Sequence, residues 1–329
     1  MEQYIVRKIT KRTEKGKKIH HKFYDKKGLE LTDKSLIKKA LEGLYIPPAY
    51  DNVKVDLNRA HKVHAIGYDE KSRPQYIYNK KYTEQQSEKK FDHMVKFGKK
   101  FKTILRKINE DLFSPKDSKE KQIAMILKLI MECHFRVGNE RYSKKNNSYG
   151  TTTLETKHIK VKKNAVEIDF IGKKKVRNVC TVKNKKIVKV LKEKKRTLSK
   201  DDKIFTYRTG NNYHCVQACD VNKYLKQFGK FSTKNFRTWG ANVELIIQLS
   251  KGSDDCKPDT KKKIQSILKE SVKKVAKKLH NTPAVCKSNY LDPELIRFFT
   301  FDCKGFLKQF NDKSKEEVYK KYVEFLEDL

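Results

Sequence analysis

The sequence predicts an α+β fold: a small β-rich domain over residues 1–80, then a larger, mainly α-helical domain over residues 81–329 that contains a three-stranded antiparallel β-meander. Three observations predict it. Short extended segments and turns fill the first 80 residues, helical periodicity takes over near residue 80, and residues 158–182 interrupt that periodicity with three alternating runs. Against a typical domain of about 150 residues, the chain has room for two such units.

The elements follow in order. Lys17 to Tyr24 alternates loosely as a strand, and Thr32-Asp33 can cap a short helix through Leu44 that Ile46-Pro47-Pro48 breaks. Val53 to Leu57 reads as extended. His64 to Tyr68 and Gln75 to Tyr78, on either side of the polar turn Asp69 to Arg73, form a hairpin. Composition turns polar over residues 79–85, which sets the domain boundary near residue 80. Ile123 to Phe135 is apolar almost all round, as in a helix at the centre of its domain, with Gly138 as its stop. The meander runs through His158 to Val161, Val166 to Phe170 and Val176 to Val182, with turns at Lys163-Asn164 and Gly172. Lys261 to Leu279 places Ile264, Ile267, Leu268, Val272, Val275, Ala276 and Leu279 on one stripe and lysine almost everywhere else, a basic amphipathic helix stopped before Pro283. No internal repeat recurs, which excludes a solenoid.

Charge narrows the function. There are 78 Lys and Arg against 40 Asp and Glu, a surplus of +38 that calls for a polyanion, most simply nucleic acid. With 37% hydrophobic residues the chain is nonetheless apolar enough to fold. Seven scattered cysteines without a C-x-x-C pair fit reduced thiols inside a cell and rule out a disulfide scaffold. Cys215 and Cys219, beside His214 in a predicted helix, lack a second ligand pair of zinc-finger spacing. There is no run of about 18 apolar residues to span a membrane, and the start MEQYIVRKIT lacks the apolar stretch of a signal peptide, so a soluble, non-secreted protein is expected.

The sequence has no G-x-x-x-x-G-K-[ST], no H-E-x-x-H and no acidic cluster for paired Mg²⁺ ions. Chemistry on nucleic acid without metal or ATP leaves a side-chain nucleophile attacking a phosphodiester, with cationic donors stabilising the charge on its oxygens. Two Arg suit the phosphate, a Lys can protonate the departing 5′ oxygen, and a Tyr or Ser can attack. Arg136 at the end of the buried helix, Lys173 after Gly172, Arg237 beside the only tryptophan, and Tyr290 after Asn281-Thr282-Pro283 are the candidates. Taken singly, each also suits a plain role: a helix-end arginine bonding carbonyls, a solvated turn lysine, an arginine over an indole, one tyrosine among 16.

Together they form a pattern. Arg136-Val-Gly-Asn-Glu-Arg-Tyr142, Ser148-Tyr-Gly-Thr-Thr-Thr-Leu154, Phe170-Ile-Gly-Lys173, Lys234-Asn-Phe-Arg237-Thr-Trp-Gly and Asn281-Thr-Pro-Ala-Val-Cys-Lys-Ser-Asn-Tyr290 occur in order. The chain resembles the small type IB DNA topoisomerases of poxviruses, giant DNA viruses and some bacteria, and Ile46 to Tyr50 with Gln75 to Tyr78 extends the likeness into the amino-terminal part. The resemblance implies a DNA-binding domain over 1–80 and a catalytic domain of the tyrosine recombinase and topoisomerase IB type over 81–329. It makes Tyr290 the nucleophile that forms a 3′-phosphotyrosyl bond, Arg136 and Arg237 the phosphate grip, Lys173 the general acid and Lys234 an assisting lysine. Tyr142 and Asn242 match positions that support the site, and Gln75, Tyr76 and Tyr78 match hairpin residues that enter the major groove.

The same likeness implies relaxation of positive and negative supercoils without cofactor, a monomer clamping duplex DNA in the manner of a C-shaped clamp, no membrane partner, and an intracellular DNA-containing compartment such as a virion or cytoplasmic virus factory. Two positions depart from the poxvirus pattern. Where those enzymes carry a phosphate-binding His, nine residues before the tyrosine, this chain has Asn281, with His280 one place earlier. Either Asn281 contacts the phosphate neutrally, as a donor without charge, or His280 reaches it as a DNA-binding residue through a shift at the helix end, and the count favours Asn281. Lys174 stands where they carry an acidic residue. Two other functions stand as alternatives: a tyrosine recombinase, which shares the Arg, Lys, Arg, Tyr chemistry but carries H-x-x-R where this chain has Lys234-x-x-Arg237, and a non-catalytic basic DNA-packaging protein, for which the four catalytic side chains would have no purpose.

Overall fold

The computed structural model describes residues 3–13, 19–256, 260–310 and 314–329, without the side chains of residues 254–256. The chain divides into two compact units, Met1–Lys90 and Phe91–Leu329.

The first unit is a five-stranded antiparallel sheet in the order β2-β1-β3-β4-β5. Its strands are β1 (Tyr4–Arg12), β2 (Ile19–Tyr24), β3 (Asp51–Asp56), β4 (Val63–Tyr68) and β5 (Pro74–Tyr78). The sequence reading had not singled out β1. The expected strand start at Lys17 lies outside the described residues. Helix α1 (Lys34–Leu41) is capped by Asp33, whose carboxylate accepts from the Ser35 and Leu36 amides, and it ends three residues before the expected Leu44. Ile5, Ala40, Ile46, Val53, Val55 and Ala65 form the core of this unit. The Pro47-Pro48 break is held from the sheet: the buried guanidinium of Arg7 donates to the carbonyls of Ile46, Pro47 and Tyr50.

Helix α2 (Lys80–Phe113) starts where composition turns polar, and its buried residues begin at Met94. In the second unit, α3 (Lys119–Cys133) is the buried centre, with Ile123 to Leu127, Leu129 and Ile130 enclosed. It stops at His134 in the left-handed conformation, four residues before Gly138. Short α4 (Glu140–Asn146) follows, then the expected meander of β6 (Ile159–Val161), β7 (Val166–Ile171) and β8 (Arg177–Val182) in the order β6-β7-β8. Next come α5 (Lys185–Thr197), a hairpin of β9 (Thr206–Thr209) and β10 (Asn212–Cys215), and α6 (Ala218–Lys226). Cys215 ends a strand while Cys219 opens a helix, which corrects the expectation that one helix carries both.

The remaining helices are α7 (Thr233–Cys256), α8 (Lys261–Lys278), α9 (Pro283–Asn289), α10 (Pro293–Phe301), α11 (Cys303–Phe310) and α12 (Lys315–Glu327). Helix α8 buries Ile267, Leu268, Val272, Val275 and Ala276, as its stripe predicts. Pro283 is both a stop and a start, because it occupies the first turn of α9, where its missing amide hydrogen is no loss. Cys133 and Cys180 are joined in a disulfide with Cα atoms 5.7 Å apart, which corrects the expectation of reduced thiols for this pair. The fold lays the end of α3 against β8, a proximity that the separation of 47 residues hides from the sequence. Cys215, Cys219, Cys286 and Cys303 are free thiols.

Candidate functional site

Arg136 sits in an extended segment between α3 and α4 that is fixed by its backbone. Its carbonyl accepts from the Thr151 amide at 2.9 Å and from the Thr151 hydroxyl at 3.1 Å. The Val137 carbonyl accepts from the Thr152 amide at 2.7 Å and from the Thr152 hydroxyl at 2.9 Å. Two glycines permit this approach. Gly138 takes φ +101°, and a methyl group on Gly150 would overlap the Gly138 Cα and come within 2.7 Å of the Arg136 carbonyl oxygen. The Gly-Thr-Thr-Thr stretch is thus the lock on Arg136. The adjoining amide of Tyr149 donates to the Ile171 carbonyl at the end of β7 at 2.8 Å, which ties the same lock to the turn that bears Lys173.

That turn is tight. The Gly172 amide donates to Val176 O at 2.7 Å, the buried Asn178 amide donates to the same oxygen at 2.8 Å, and Lys174 and Lys175 both take positive φ. Lys173 itself is exposed. Behind it, Arg177 grips Asp169 with two bonds of 2.9 and 2.7 Å, a pairing that holds the Asp169 carboxyl well below its ordinary range.

Helix α7 contributes Lys234, Arg237 and Asn242. Lys234 is exposed on the first turn, whereas Arg237 is 4% exposed. The Arg237 Nη2 atom donates to the Leu279 carbonyl at 3.2 Å and to the Tyr290 hydroxyl at 3.3 Å. Its Nε and Nη1 atoms are buried without an acceptor. Arg136 donates from Nη2 to Asn281 Oδ1 at 3.0 Å, and the Asn281 amide nitrogen is likewise buried without a partner. Guanidinium and amide donors therefore gather around one phenol with bonds left to make, and such orphaned buried donors call for an anionic ligand.

The electrostatics agree with this. Burial alone would raise the Tyr290 phenol, but Arg237 first, then Arg136, outweigh it and lower its pKa. Burial lowers the Arg237 pKa. His134, enclosed behind Arg237, is pushed down to about 3 by burial and then by neighbouring cations, so it is neutral. Neutral His134 adds no further positive charge beside the guanidinium.

The sequence-predicted residues thus divide. Arg136, Arg237, Asn281 and Tyr290 meet, and Asn242 is buried beside them, donating to the Tyr290 carbonyl at 3.0 Å. The ring of His280 lies against Phe135, at 5.6 Å between centroids. Tyr142 stands 56% exposed on α4. In the first unit, Tyr76 and Tyr78 lie on the outer face of β5 with rings 6.2 Å apart, while Gln75 faces the other way and donates to Asp69 at 3.1 Å. Sequence reasoning missed the locking role of Gly150, Thr151 and Thr152, although the Gly-Thr-Thr-Thr run was its signal. Among the described residues, no group of three or more His, Cys, Asp or Glu could hold a metal ion. No helix among them is long and apolar enough to cross a membrane.

The family model described as eukaryotic DNA topoisomerase I, catalytic core, matches residues 79–316, well over half of the chain. The chain belongs to that family. Among its relatives, DNA topoisomerase 1B of Acanthamoeba polyphaga mimivirus is 29% identical over 308 residues, covering 92% of this chain and 90% of the relative. DNA topoisomerase 1B of vaccinia virus strain Copenhagen is 25% identical over 234 residues, 70% of each chain. DNA topoisomerase 1 beta of Arabidopsis thaliana is 26% identical over 210 residues, 62% of this chain but 22% of that protein. The topoisomerase I match spans Arg136, Lys173, Arg237 and Tyr290; the whole sheet of the first unit lies before it, and only residues 79–90 of that unit fall within it.

Proposed function

We propose that this protein is a type IB topoisomerase that relaxes supercoiled duplex DNA of either sign without ATP or metal. The observation that carries the reading is the buried Arg237 guanidinium, bonded to the Tyr290 hydroxyl while two of its donor atoms lack acceptors. A phosphodiester seated there would satisfy those donors, and its non-bridging oxygens would gain charge against Arg237, Arg136 and the Asn281 amide in the transition state.

The phenolic oxygen of Tyr290 attacks phosphorus as its proton leaves to solvent. The bond from phosphorus to the 5′ oxygen breaks, and Lys173 supplies the proton that the departing oxygen needs. One phosphodiester is exchanged for another, so the 5′-hydroxyl can reverse the step with no energy input after the strand has swivelled. Lys234, exposed at the start of the same helix, assists at the phosphate. Tyr142 and the exposed Tyr76 and Tyr78 make DNA contacts, and the +38 surplus neutralises phosphates. The viral relatives favour an intracellular setting where viral DNA is handled.

The test is relaxation of supercoiled plasmid in EDTA without ATP. Activity that Tyr290→Phe removes while DNA binding persists supports the reading. Strand exchange between two sites, or binding without nicking, overturns it in favour of a recombinase or a packaging protein.

A further inference from the structure

The phenol of Tyr290 is aimed by a turn that the protein grips from behind. Tyr290 closes α9 with φ −123° and ψ −37°, and α10 begins at Pro293. Asn242, fully enclosed on α7, holds both sides of Leu291: its Nδ2 donates to the Tyr290 carbonyl at 3.0 Å, and its Oδ1 accepts from the Asp292 amide at 2.8 Å. A third bond, from Nδ2 to the Thr238 carbonyl at 3.0 Å, fixes the amide plane.

A deeper layer backs this grip. Asp292 is 1% exposed; its Oδ1 accepts from the Glu294 amide at 3.0 Å, and its Oδ2 accepts from the Tyr322 hydroxyl at 3.4 Å. Tyr322 lies on α12 and is fully enclosed, its ring 4.9 Å from that of Trp239, which sits on α7 between Arg237 and Asn242. A buried carboxyl and a buried hydroxyl add little net stability over an apolar pair of the same shape. What they add is direction. The bond from Tyr322 fixes the Asp292 carboxyl, which caps α10, and the Asp292 backbone is one of the two anchors of the turn that Asn242 holds.

We propose that Tyr322, acting through Asp292 and Asn242, is a positioning residue that sets the nucleophile's turn from the carboxy-terminal helix. The inference rests on the reading of Tyr290 as the attacking group. Neither Tyr322 nor Asp292 touches the reacting oxygen, so both act on how often the phenol is aligned for attack, a factor to which rates respond steeply.

The experiment measures single-turnover formation of the covalent protein–DNA adduct on a nicking substrate, together with non-covalent affinity in a Tyr290→Phe background and thermal unfolding. Tyr322→Phe keeps the ring and removes only the hydroxyl. It is expected to slow cleavage about 10-fold, with DNA affinity unchanged. Asp292→Ala is expected to slow it further, and Asp292→Asn, which can still cap α10 and bond Tyr322, to recover most of the rate. Adding Tyr322→Phe to Asp292→Ala should cost no additional rate, the signature of one connected path.

A substrate with sulfur in place of the 5′ leaving oxygen should relieve Lys173→Ala but not Tyr322→Phe, because protonation of the leaving group is not what Tyr322 serves. Cleavage at the parental rate by Tyr322→Phe, full additivity with Asp292→Ala, or a loss explained by weaker DNA binding or lower stability overturns the inference. If the parent chain itself forms no adduct that Tyr290→Phe abolishes, the nucleophile assignment fails, and this inference with it.

Discussion

Arg237 and Tyr290, 53 positions apart, meet through a hydrogen bond of 3.3 Å from the guanidinium Nη2 to the phenolic oxygen, with the guanidinium carbon 5.2 Å from the ring centre. A cation this close to a half-buried phenol both orients it and stabilises its ionised form.

Arg237→Ala is expected to slow DNA cleavage by about 10² to 10³ or more, since it removes a donor aimed at developing charge in an enclosed site. Arg136→Ala should fall in the same range. Adduct formation on a nicking substrate measures both, and thermal unfolding in parallel separates chemistry from folding. A loss below about threefold in either variant would remove that arginine from the phosphate grip.

The lowered phenol of Tyr290 has a consequence in pH. If the ionised phenol is the attacking species, cleavage rises with pH through its pKa, and Arg237, the main group opposing burial, sets where that rise falls. Arg237→Gln should therefore move the rise to higher pH as well as lower the maximum. A pH profile of single-turnover cleavage that keeps its midpoint would contradict this.

Gly150→Ala should be severe although residue 150 bears no functional group. The added methyl comes within 2.7 Å of the Arg136 carbonyl and overlaps Gly138, so the Arg136 segment must move. Displacement of the order of 1 Å is enough for about a 10²-fold loss. Thr152→Val removes one hydroxyl bond to the Val137 carbonyl and should be milder. Equal, near-parental activity in both variants would show that the lock is dispensable.

Asp292 predicts an opposite pH trend for stability. Burial raises its carboxyl from 3.8 to about 6, so the folded chain holds that proton more firmly than the unfolded chain does. This group therefore favours folding as pH falls from about 6 toward 4, and opposes it above pH 6. Asp292→Asn removes the titration and keeps the cap. Its melting temperature, relative to the parent, should rise with pH across that interval and level off above it. A constant difference would mean that Asp292 does not titrate there.

Salt dependence tests the surplus charge. If about eight phosphates are neutralised, log K against log salt should fall with a slope near −7. A slope of about −2 or shallower would leave the +38 surplus without its DNA partner.

Local chemistry made much of this molecule legible in its sequence. The meander of β6 to β8 was readable because period-two alternation and turn residues are properties of neighbours in the chain. Arg136, Arg237, Asn281 and Tyr290 were readable because such residue types recur in short motifs, and the fold does bring these four together. The hairpin of β9 and β10 was missed: its strands have four residues each, and only Gly210-Asn211 marks the turn. The disulfide of Cys133 with Cys180, from α3 to β8, and the bond of Tyr322 to Asp292 are products of packing between elements distant in the chain, with no local pattern to announce them. The sequence reading did not single out Asp292-Pro293, which starts α10, and nothing in the sequence says which hydroxyl the Asp292 carboxyl will meet.

Trp239 is the sole indole of the chain, 1% exposed, two residues from Arg237 and with its ring 4.9 Å from that of Tyr322. Its ultraviolet emission accordingly arises from a single place, beside Arg237, rather than averaged over the molecule. The unlabelled protein carries its own optical gauge, and rapid-mixing fluorescence with DNA will register events in that neighbourhood alone.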